Sequence, residues 1–171
     1  LAWRMNSRQR RIGKSACADY KRALEGEMRS PYTQLYLHLV WATWDRLPLI
    51  TDLVEGCLYE ALVEKCRDLK CVPLAIGGTA DHVHLLMRLP TTITVADLAQ
   101  AVKGSSSYLM THRIMPGEFF KWQGAYGAFT LRKADVPEVK VYIGRQKAHH
   151  AAGTLREEWE QITVLDEDES A

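Results

Sequence analysis

The run from residue 80 to residue 87 constrains the fold of this chain more than any other segment. Its apolar residues alternate with two histidines, and the apolar set is Val83, Leu85 and Met87. Because successive side chains of a strand point to opposite faces, His82 and His84 project together from the face opposite that set. Two imidazoles side by side on a rigid strand supply half of a metal site.

The patterns on either side of this run predict an α+β fold. Alternating or short apolar runs predict strands over residues 33–43, 72–77, 81–89 and 125–131. Helical spacing predicts helices from 51 to about 69, from 94 to about 111, and from 135 past Gln146. This order matches a ferredoxin-like sandwich, an antiparallel four-stranded sheet with two packing helices plus a C-terminal helix that carries Tyr142. The first and third strands of that fold are central neighbours, which would place His38 on the exposed face of His82 and His84.

The helices have predicted caps and predicted buried faces. Thr51, Thr94 and Asp135 are the expected N-caps. The expected inward residues of the first helix are Leu53, Cys57, Leu58, Leu62, Cys66 and Leu69, and those of the second are Val95, Leu98, Val102 and Leu109. The last helix is expected to bury Val136, Val139 and Ile143, with Tyr142 and Gln146 at the flank of that stripe. Gly144 costs this helix about 1 kcal/mol relative to Ala and permits a local bend.

Length and charge divide the chain into three parts. Its 171 residues fit one ordinary domain, which we expect over residues 28–154. Residues 1–27 have a net charge of +4 and no sustained apolar period, so we expect a disordered or accessory basic extension, with Met28 as the natural start. Residues 155–171 have a net charge of −6 and are expected to form an acidic tail. The body between them has a net charge of +3, which is compatible with phosphate contacts.

The composition disfavours several other classes of protein. No run approaches the roughly 18 apolar residues of a membrane helix, and the N-terminus lacks the apolar stretch of a secretion signal, so a cytoplasmic location is expected. The four cysteines do not have the paired spacing of a disulfide framework or a zinc ribbon. One structural zinc site stays open as an alternative, formed by Cys66, Cys71, His82 and His84.

Tyr142 and Gln146 extend the histidine pair toward a defined chemistry. Four residues apart on a helix, they share a face and offer a phenol nucleophile beside a third ligand. Asp81 is expected to hydrogen-bond an imidazole rather than to bind the metal itself. A metal beside a tyrosine suggests phosphodiester chemistry. The alternatives are that the histidines are polar surface, that Tyr142 is a packed ring with a wet hydroxyl, and that Gln146 is a surface amide.

Five segments occur in an order and spacing that point to one family. They are residues 38–41 (HLVW), 81–86 (DHVHLL), 103–106 (KGSS) and 122–129 (WQGAYGAF), followed by Tyr142-Ile143 with Gln146 and His149-His150. Together they resemble the single-tyrosine HUH transposases of small bacterial insertion sequences, the insertion-sequence 200 type, with REP-associated tyrosine transposases as close relatives. The resemblance covers residues 32–152. Gly144 and the two charged ends of the chain depart from the usual pattern.

The resemblance implies a reaction and the residues that perform it. His82, His84 and Gln146 would hold Mg²⁺ or Mn²⁺, and Tyr142 would attack a phosphate of single-stranded DNA. The products would be a 5′-phosphotyrosine and a free 3′-hydroxyl, and attack by another 3′-hydroxyl would join strands. The resemblance also implies a homodimer, in which the tyrosine helix of one subunit can complete the metal site of the other, and hairpin DNA ends as partners.

Other residues and other functions follow from the same resemblance. Lys103, Lys121 and Arg132 are the expected phosphate contacts. Trp122 and Tyr126 have the chemistry for base stacking, but we interpret them as core aromatics. Two other functions stay open: a non-catalytic single-stranded nucleic-acid-binding protein derived from such a transposase, and a metal-dependent phosphodiesterase that uses water.

Overall fold

The structure of this chain is a computed structural model that describes residues 31–163. The predicted basic extension, residues 1–27, lies outside the described residues, as do the last eight residues of the predicted acidic tail. The fold described below belongs to the unit that begins at Thr33. Among the described residues, no helix is both long and apolar enough to cross a membrane.

A four-stranded antiparallel sheet forms the centre of the fold, as the sequence predicts. The strands are β1 (Tyr36–Ala42), β2 (Val72–Gly78), β3 (His82–Arg88) and β4 (Gly127–Leu131), and their order in the sheet is β2-β3-β1-β4. β1 and β3 are therefore the two interior strands, which confirms the predicted pairing. Their register places Ala42 opposite His82 and Val40 opposite His84.

Helices cover both faces of this sheet. They are α1 (Asp52–Asp68), α2 (Val95–Leu109), α3 (Val136–Gly144), α4 (Gln146–Ala152) and α5 (Glu157–Glu160). α1 and α2 bury their apolar faces against the side of the sheet that carries Val83, Leu85 and Met87. α3 covers the opposite side, where Val139 and Ile143 pack on Leu86.

The buried faces of α1 and α2 differ in part from the predicted stripes. In α1, Leu58, Leu62 and Cys66 are buried as expected, but Val54 takes the place assigned to Leu53, which is 92% exposed, and Cys57 is exposed. In α2 the buried set is Leu98, Ala99, Val102 and Ser106. α2 continues through the weak helix formers at 103–107, where the hydroxyls of Ser105 and Ser106 donate to the carbonyl of Val102.

The predicted caps behave in three different ways. Thr94 caps α2, since its hydroxyl oxygen accepts a hydrogen bond from the Asp97 N–H at 3.1 Å. Thr51 occupies the N-cap position of α1 without a side-chain hydrogen bond. Asp135 precedes α3 but pairs with Arg132 instead of capping the helix.

The histidine face of the sheet is buried, whereas the sequence predicted a half-buried first strand with that face exposed. His38, His82 and His84 all have 0% exposure. The residues that cover them come from α3, α4 and the segment around α5. This segment packs because Trp159 joins the cluster of Leu86, Val139 and Ile143, and Ile162 packs on Val40 and Ala42.

α3 lies unusually close to β2 at one glycine. A Cβ at Gly77 would collide with the backbone carbonyl oxygen of Ile143. A strand glycine often marks such a close approach of another backbone. Gly77 therefore lets the helix that carries Tyr142 lie directly against the sheet.

Candidate active site

His82 and His84 lie together on β3, as the alternation predicts. Their ring centroids are 5.0 Å apart and the rings meet edge to face. Both are completely buried, which excludes the alternative that they are polar surface. Each presents its Nε2 atom toward the same carboxylate, that of Glu160.

Asp81 and Thr79 orient the ring of His82. Oδ1 of Asp81 lies 2.7 Å from Nδ1 of His82, and the hydroxyl of Thr79 donates a 2.5 Å hydrogen bond to the same Oδ1. The hydrogen bond from His82 is the largest cause that lowers the pKa of Asp81, and Thr79 and Arg46 add to it. An ionised carboxylate at Nδ1 holds the ring proton there and leaves the lone pair of Nε2 free, as in many metal-binding histidines.

Tyr142 lies in α3 with its ring buried and its hydroxyl inside the site. The hydroxyl donates a hydrogen bond to Oε1 of Glu160 and accepts one from the backbone N–H of Arg156 at 3.2 Å. Its ring stacks on His149 and meets His84 edge to face with centroids 6.1 Å apart. Burial raises the pKa of the phenol, and the hydrogen bond to Glu160 raises it further. The tyrosine is therefore protonated at neutral pH.

Gln146 reaches the site from a different helix than predicted. The single helix expected through Tyr142 and Gln146 is wrong, because α3 ends at Gly144 and Arg145 has a non-helical backbone (φ −114°, ψ 15°) before α4 begins at Gln146. The side chain is nevertheless 1% exposed, with Oε1 3.3 Å from Nε2 of His82. Its amide nitrogen donates to Glu160 at 3.1 Å.

Glu160 is the residue that the sequence analysis missed. Oε2 of this carboxylate lies 3.2 Å from Nε2 of His84 and 3.7 Å from Nε2 of His82. Burial raises the pKa of Glu160, but interactions with His84 and hydrogen bonds from Tyr142 and Gln146 outweigh it and place the pKa at about 2. The carboxylate is ionised at neutral pH. The available signal was Trp159, an apolar side chain within a run of acids, which indicates a segment that packs rather than a solvated tail.

These donors fit a divalent cation. Ligand atoms of His82, His84 and Glu160 lie within 4.8 Å of one another, and in the described part of the chain they form the one His, Cys, Asp or Glu group that can hold a metal. Nε2 of His84 is buried without a hydrogen-bond partner, although Glu160 is near, because the contact lacks hydrogen-bond geometry. A buried imidazole nitrogen that faces a carboxylate without a hydrogen-bond partner is the arrangement expected of a metal ligand.

The alternative zinc site is wrong. Cys66 and Cys71 are buried in the core between the sheet and helices α1 and α2. His82 and His84 point to the opposite side of the sheet, toward Glu160. Burial raises the pKa of the Cys66 thiol to about 12, so it is a protonated core residue and not a thiolate ligand.

Two of the three predicted DNA-contact residues share one cavity. Lys103 and Lys121 line a cavity of about 390 Å³ together with Trp122 and Tyr126. Nζ of Lys103 donates to the backbone carbonyls of Gly124 and Ala125 at 2.8 and 3.0 Å. Nζ of Lys121 lies 3.4 Å from the centroid of the Trp44 ring.

The remaining predicted DNA-contact residue and the two aromatics are placed differently. Arg132 does not line that cavity and makes an exposed ion pair with Asp135. Trp122 is a core residue whose Nε1 donates to Ser106 at 2.9 Å, and Tyr126 packs against the same core. Their interpretation as core aromatics is consistent with these contacts.

Known proteins share this sequence pattern and this fold. The family described as "Transposase IS200 like" matches residues 31–146. A crystal structure of a candidate transposase from Deinococcus radiodurans R1 is 25% identical, with a TM-score of 0.54 over 70% of this chain and 97% of that chain. A REP-associated tyrosine transposase bound to a REP hairpin has the same fold, with 19% identity and a TM-score of 0.55 over 73% of this chain and 74% of that chain. No curated protein matches the sequence.

Proposed function

The chain belongs to the IS200-like transposase family, and from that premise we propose that it cuts and rejoins single-stranded DNA through a covalent bond to Tyr142. The observation that carries this proposal is the contact of Tyr142 with Glu160. The phenol donates to one carboxylate oxygen, and the other oxygen faces His82 and His84. One side chain therefore links a nucleophile to a metal-binding group.

Mg²⁺ or Mn²⁺ is the cofactor that this donor set supports. The residues that would hold it are His82, His84 and Glu160, with the amide oxygen of Gln146 as a further donor. When bound, the cation supplies Lewis-acid polarisation of the scissile phosphate. Asp81 and Thr79 prepare His82 for this role by fixing its Nδ1.

The proposed cutting step is a transesterification. The phenolic oxygen of Tyr142 forms a bond to phosphorus while the bond from phosphorus to the 3′ oxygen breaks. The phenolic proton passes to the Glu160 carboxylate that already accepts its hydrogen bond, and Glu160 then releases a proton through solvent to the leaving 3′ oxygen, so that no net proton is consumed. The products are a 5′-phosphotyrosine and a 3′-hydroxyl. Attack by a 3′-hydroxyl from another end reverses these steps and joins the two strands.

We propose that the substrate is the single-stranded or hairpin DNA of transposon ends. One structural neighbour is bound to a REP hairpin, and the shared fold supports a DNA partner of the same class. Lys103 and Lys121 are proposed as phosphate contacts because both ammonium groups border one cavity. Arg132 is proposed as a third contact from the sheet edge. We also propose that the protein is located in the cytoplasm and acts as a homodimer.

The test is the formation of a covalent protein–DNA product. Purified protein is incubated with Mn²⁺ and a labelled pool of hairpin-bearing single-stranded DNAs, and the products are separated on a denaturing gel. We expect a slow band that is lost with Tyr142→Phe, with His82→Ala or with a chelator. Tyr108→Phe is the matched control, since Tyr108 is 60% exposed and lies outside the site.

Two other results would contradict the proposal, and each would identify a different function. Cleavage without a covalent band, and unchanged in Tyr142→Phe, would identify water as the nucleophile and the protein as a phosphodiesterase. Tight binding with neither cleavage nor a band would identify a non-catalytic binding protein.

A further inference from the structure

His38 makes a direct contact with one of the two histidines of the site. It lies on β1, next to β3, and its Nε2 is 2.9 Å from Nδ1 of His84. The two rings are stacked, with centroids 5.1 Å apart and an interplanar angle of 22°. His38 is completely buried, and Phe129 packs against its ring with a centroid distance of 5.6 Å.

The contact between two imidazole nitrogens requires that one of them carries a proton and the other a lone pair. If Nε2 of His38 donates, His84 must carry its own proton on Nε2, where it would block a metal. If Nδ1 of His84 donates, Nε2 of His84 has a free lone pair directed at Glu160. Only the second arrangement is compatible with a metal at His84.

We propose that His38 is a positioning residue that accepts the Nδ1 proton of His84 and so holds His84 in the tautomer that binds the metal. The inference rests on the proposed function, since it assigns His38 a role toward the cation held by His82, His84 and Glu160. Each of the two proposed histidine ligands, His82 and His84, then has its own orienting residue. Asp81 serves His82, and His38 serves His84.

One feature of the surroundings makes His38 the group that sets the proton position of His84. His84 has no other partner at Nδ1 among the described residues, and its Nε2 also lacks one. Without His38, both ring nitrogens of a buried ligand would be free, and nothing would select the proton position.

A pair of variants separates hydrogen bonding from ring packing. His38→Phe keeps a flat ring between His84 and Phe129 but removes the acceptor nitrogen. His38→Gln loses the ring but places an amide oxygen near the position of Nε2. Mn²⁺ affinity is measured for both by electron paramagnetic resonance titration of the purified protein, without DNA.

We expect His38→Phe to weaken Mn²⁺ binding by about 10- to 100-fold, the usual effect of losing an outer hydrogen-bond partner of a ligand. His38→Gln should recover most of the affinity. Equal affinity of His38→Phe and the natural chain, or equal losses in both variants, would overturn the inference. Failure of the natural chain to bind Mn²⁺ would instead overturn the proposed function.

A measurement on the natural chain keeps the inference testable if His38→Phe does not fold. Long-range ¹H–¹⁵N spectra report which nitrogen of each histidine carries a proton. With Mg²⁺ present, we expect His84 to be protonated on Nδ1 and His38 to be unprotonated on Nε2. A proton on Nε2 of His38 would overturn the inference.

Discussion

Glu160 contacts the other residues of the proposed site directly. Its two oxygens have different partners: Oε1 accepts hydrogen bonds from Tyr142 and Gln146, and Oε2 faces the two histidines. The contact to Tyr142 is a charge-assisted hydrogen bond between a neutral phenol and an ionised carboxylate, which is stronger than a bond between neutral groups. A substitution of Glu160 should therefore change both the affinity for the proposed metal and the hydrogen bonding of the Tyr142 hydroxyl.

Glu160→Gln tests this role. The amide keeps the size of the side chain but removes its charge, so we expect Mn²⁺ affinity measured by calorimetry to fall by at least about tenfold, or about 1.4 kcal/mol. Glu158→Gln removes the same charge from an exposed neighbour and should leave the affinity unchanged. Equal affinities in Glu160→Gln and Glu158→Gln would exclude Glu160 as a metal ligand.

The site residues were predictable from the sequence to different degrees. Strict alternation around Val83 places His82 and His84 together. Asp81 lies in the bend before β3 rather than in the strand, and there its carboxylate contacts both Thr79 and His82. Glu160 could not be predicted from spacing. Trp159 within a run of acids indicates a segment that packs, but the sequence does not specify its contact with Leu86, Val139 and Ile143, which places Glu160 in the site.

At the scale of elements, the position of α3 depends on its contact with β2. The carbonyl of Ile143 lies where a side chain at residue 77 would be, and Tyr142 precedes Ile143 on the same helix. A methyl group at residue 77 must push α3 outward or distort β2. Either change moves the hydroxyl of Tyr142 relative to His84.

Gly77→Ala should therefore reduce both stability and covalent-adduct yield. Overpacking of this kind costs about 1–3 kcal/mol of unfolding free energy, measured by urea denaturation. Gly56→Ala is the matched control, since nothing lies within 4 Å of a Cβ at that position in α1, and it should stabilise the helix by about 1 kcal/mol. A Gly77→Ala protein as stable and active as the natural chain would show that α3 does not need this close approach.

The buried face of α1 gives a second prediction at this scale, one that depends on pH. The thiolate is the reactive form of cysteine, and burial raises the pKa of Cys66 to about 12. Raising the pH from neutral to mildly alkaline should therefore leave the buried Cys66 unalkylated, whereas Cys57 is exposed to the reagent; peptide mass spectrometry reads both sites. Rapid labelling of Cys66 in the native protein would contradict the burial of this side of α1 in the core.

The helices and strands were easier to predict from the sequence than the residues at which they begin, end or break. Thr94 caps α2 through a contact three residues away, so the sequence alone identifies the start of that helix. The break between α3 and α4 follows Gly144, whose cost to the helix was expected, but the sequence did not specify that the helix would end there. Leu53 was assigned to the buried face of α1 in error, because the four-residue spacing of the buried set, Val54, Leu58, Leu62 and Cys66, selects Val54 and leaves Leu53 exposed.

At the scale of the whole molecule, the residues of the proposed site can meet within a single chain. Tyr142, Gln146 and Glu160 all approach the histidines of the same polypeptide. The resemblance implied an alternative in which the tyrosine helix completes the site of a second subunit. In the arrangement described here α3 is packed on its own sheet through Val139 and Ile143.

A mixing experiment distinguishes the two arrangements. His82→Ala lacks a proposed metal ligand and Tyr142→Phe lacks the proposed nucleophile, so neither protein should form the covalent adduct alone. If each site is built from one chain, a mixture refolded together to allow mixed dimers should also stay inactive. Recovered activity would mean that α3 exchanges between subunits.

The elements that carry the site residues differ in stability. His82 and His84 lie on an interior strand, whereas Glu160 lies in a short helix. β1 and β3 are hydrogen-bonded on both sides, so the amides of residues 82–88 should exchange with solvent deuterium only when the sheet opens. α5 has four residues and no side-chain cap, and it is attached to the fold by Trp159, by the contacts of Glu160 with Tyr142, Gln146 and His84, and by the flanking Arg156 and Ile162. Detachment of α5 would remove Glu160 while the histidines stay in place on β3. On heating, the protein should lose its carboxylate ligand, and with it its activity, at a temperature where the sheet is still intact.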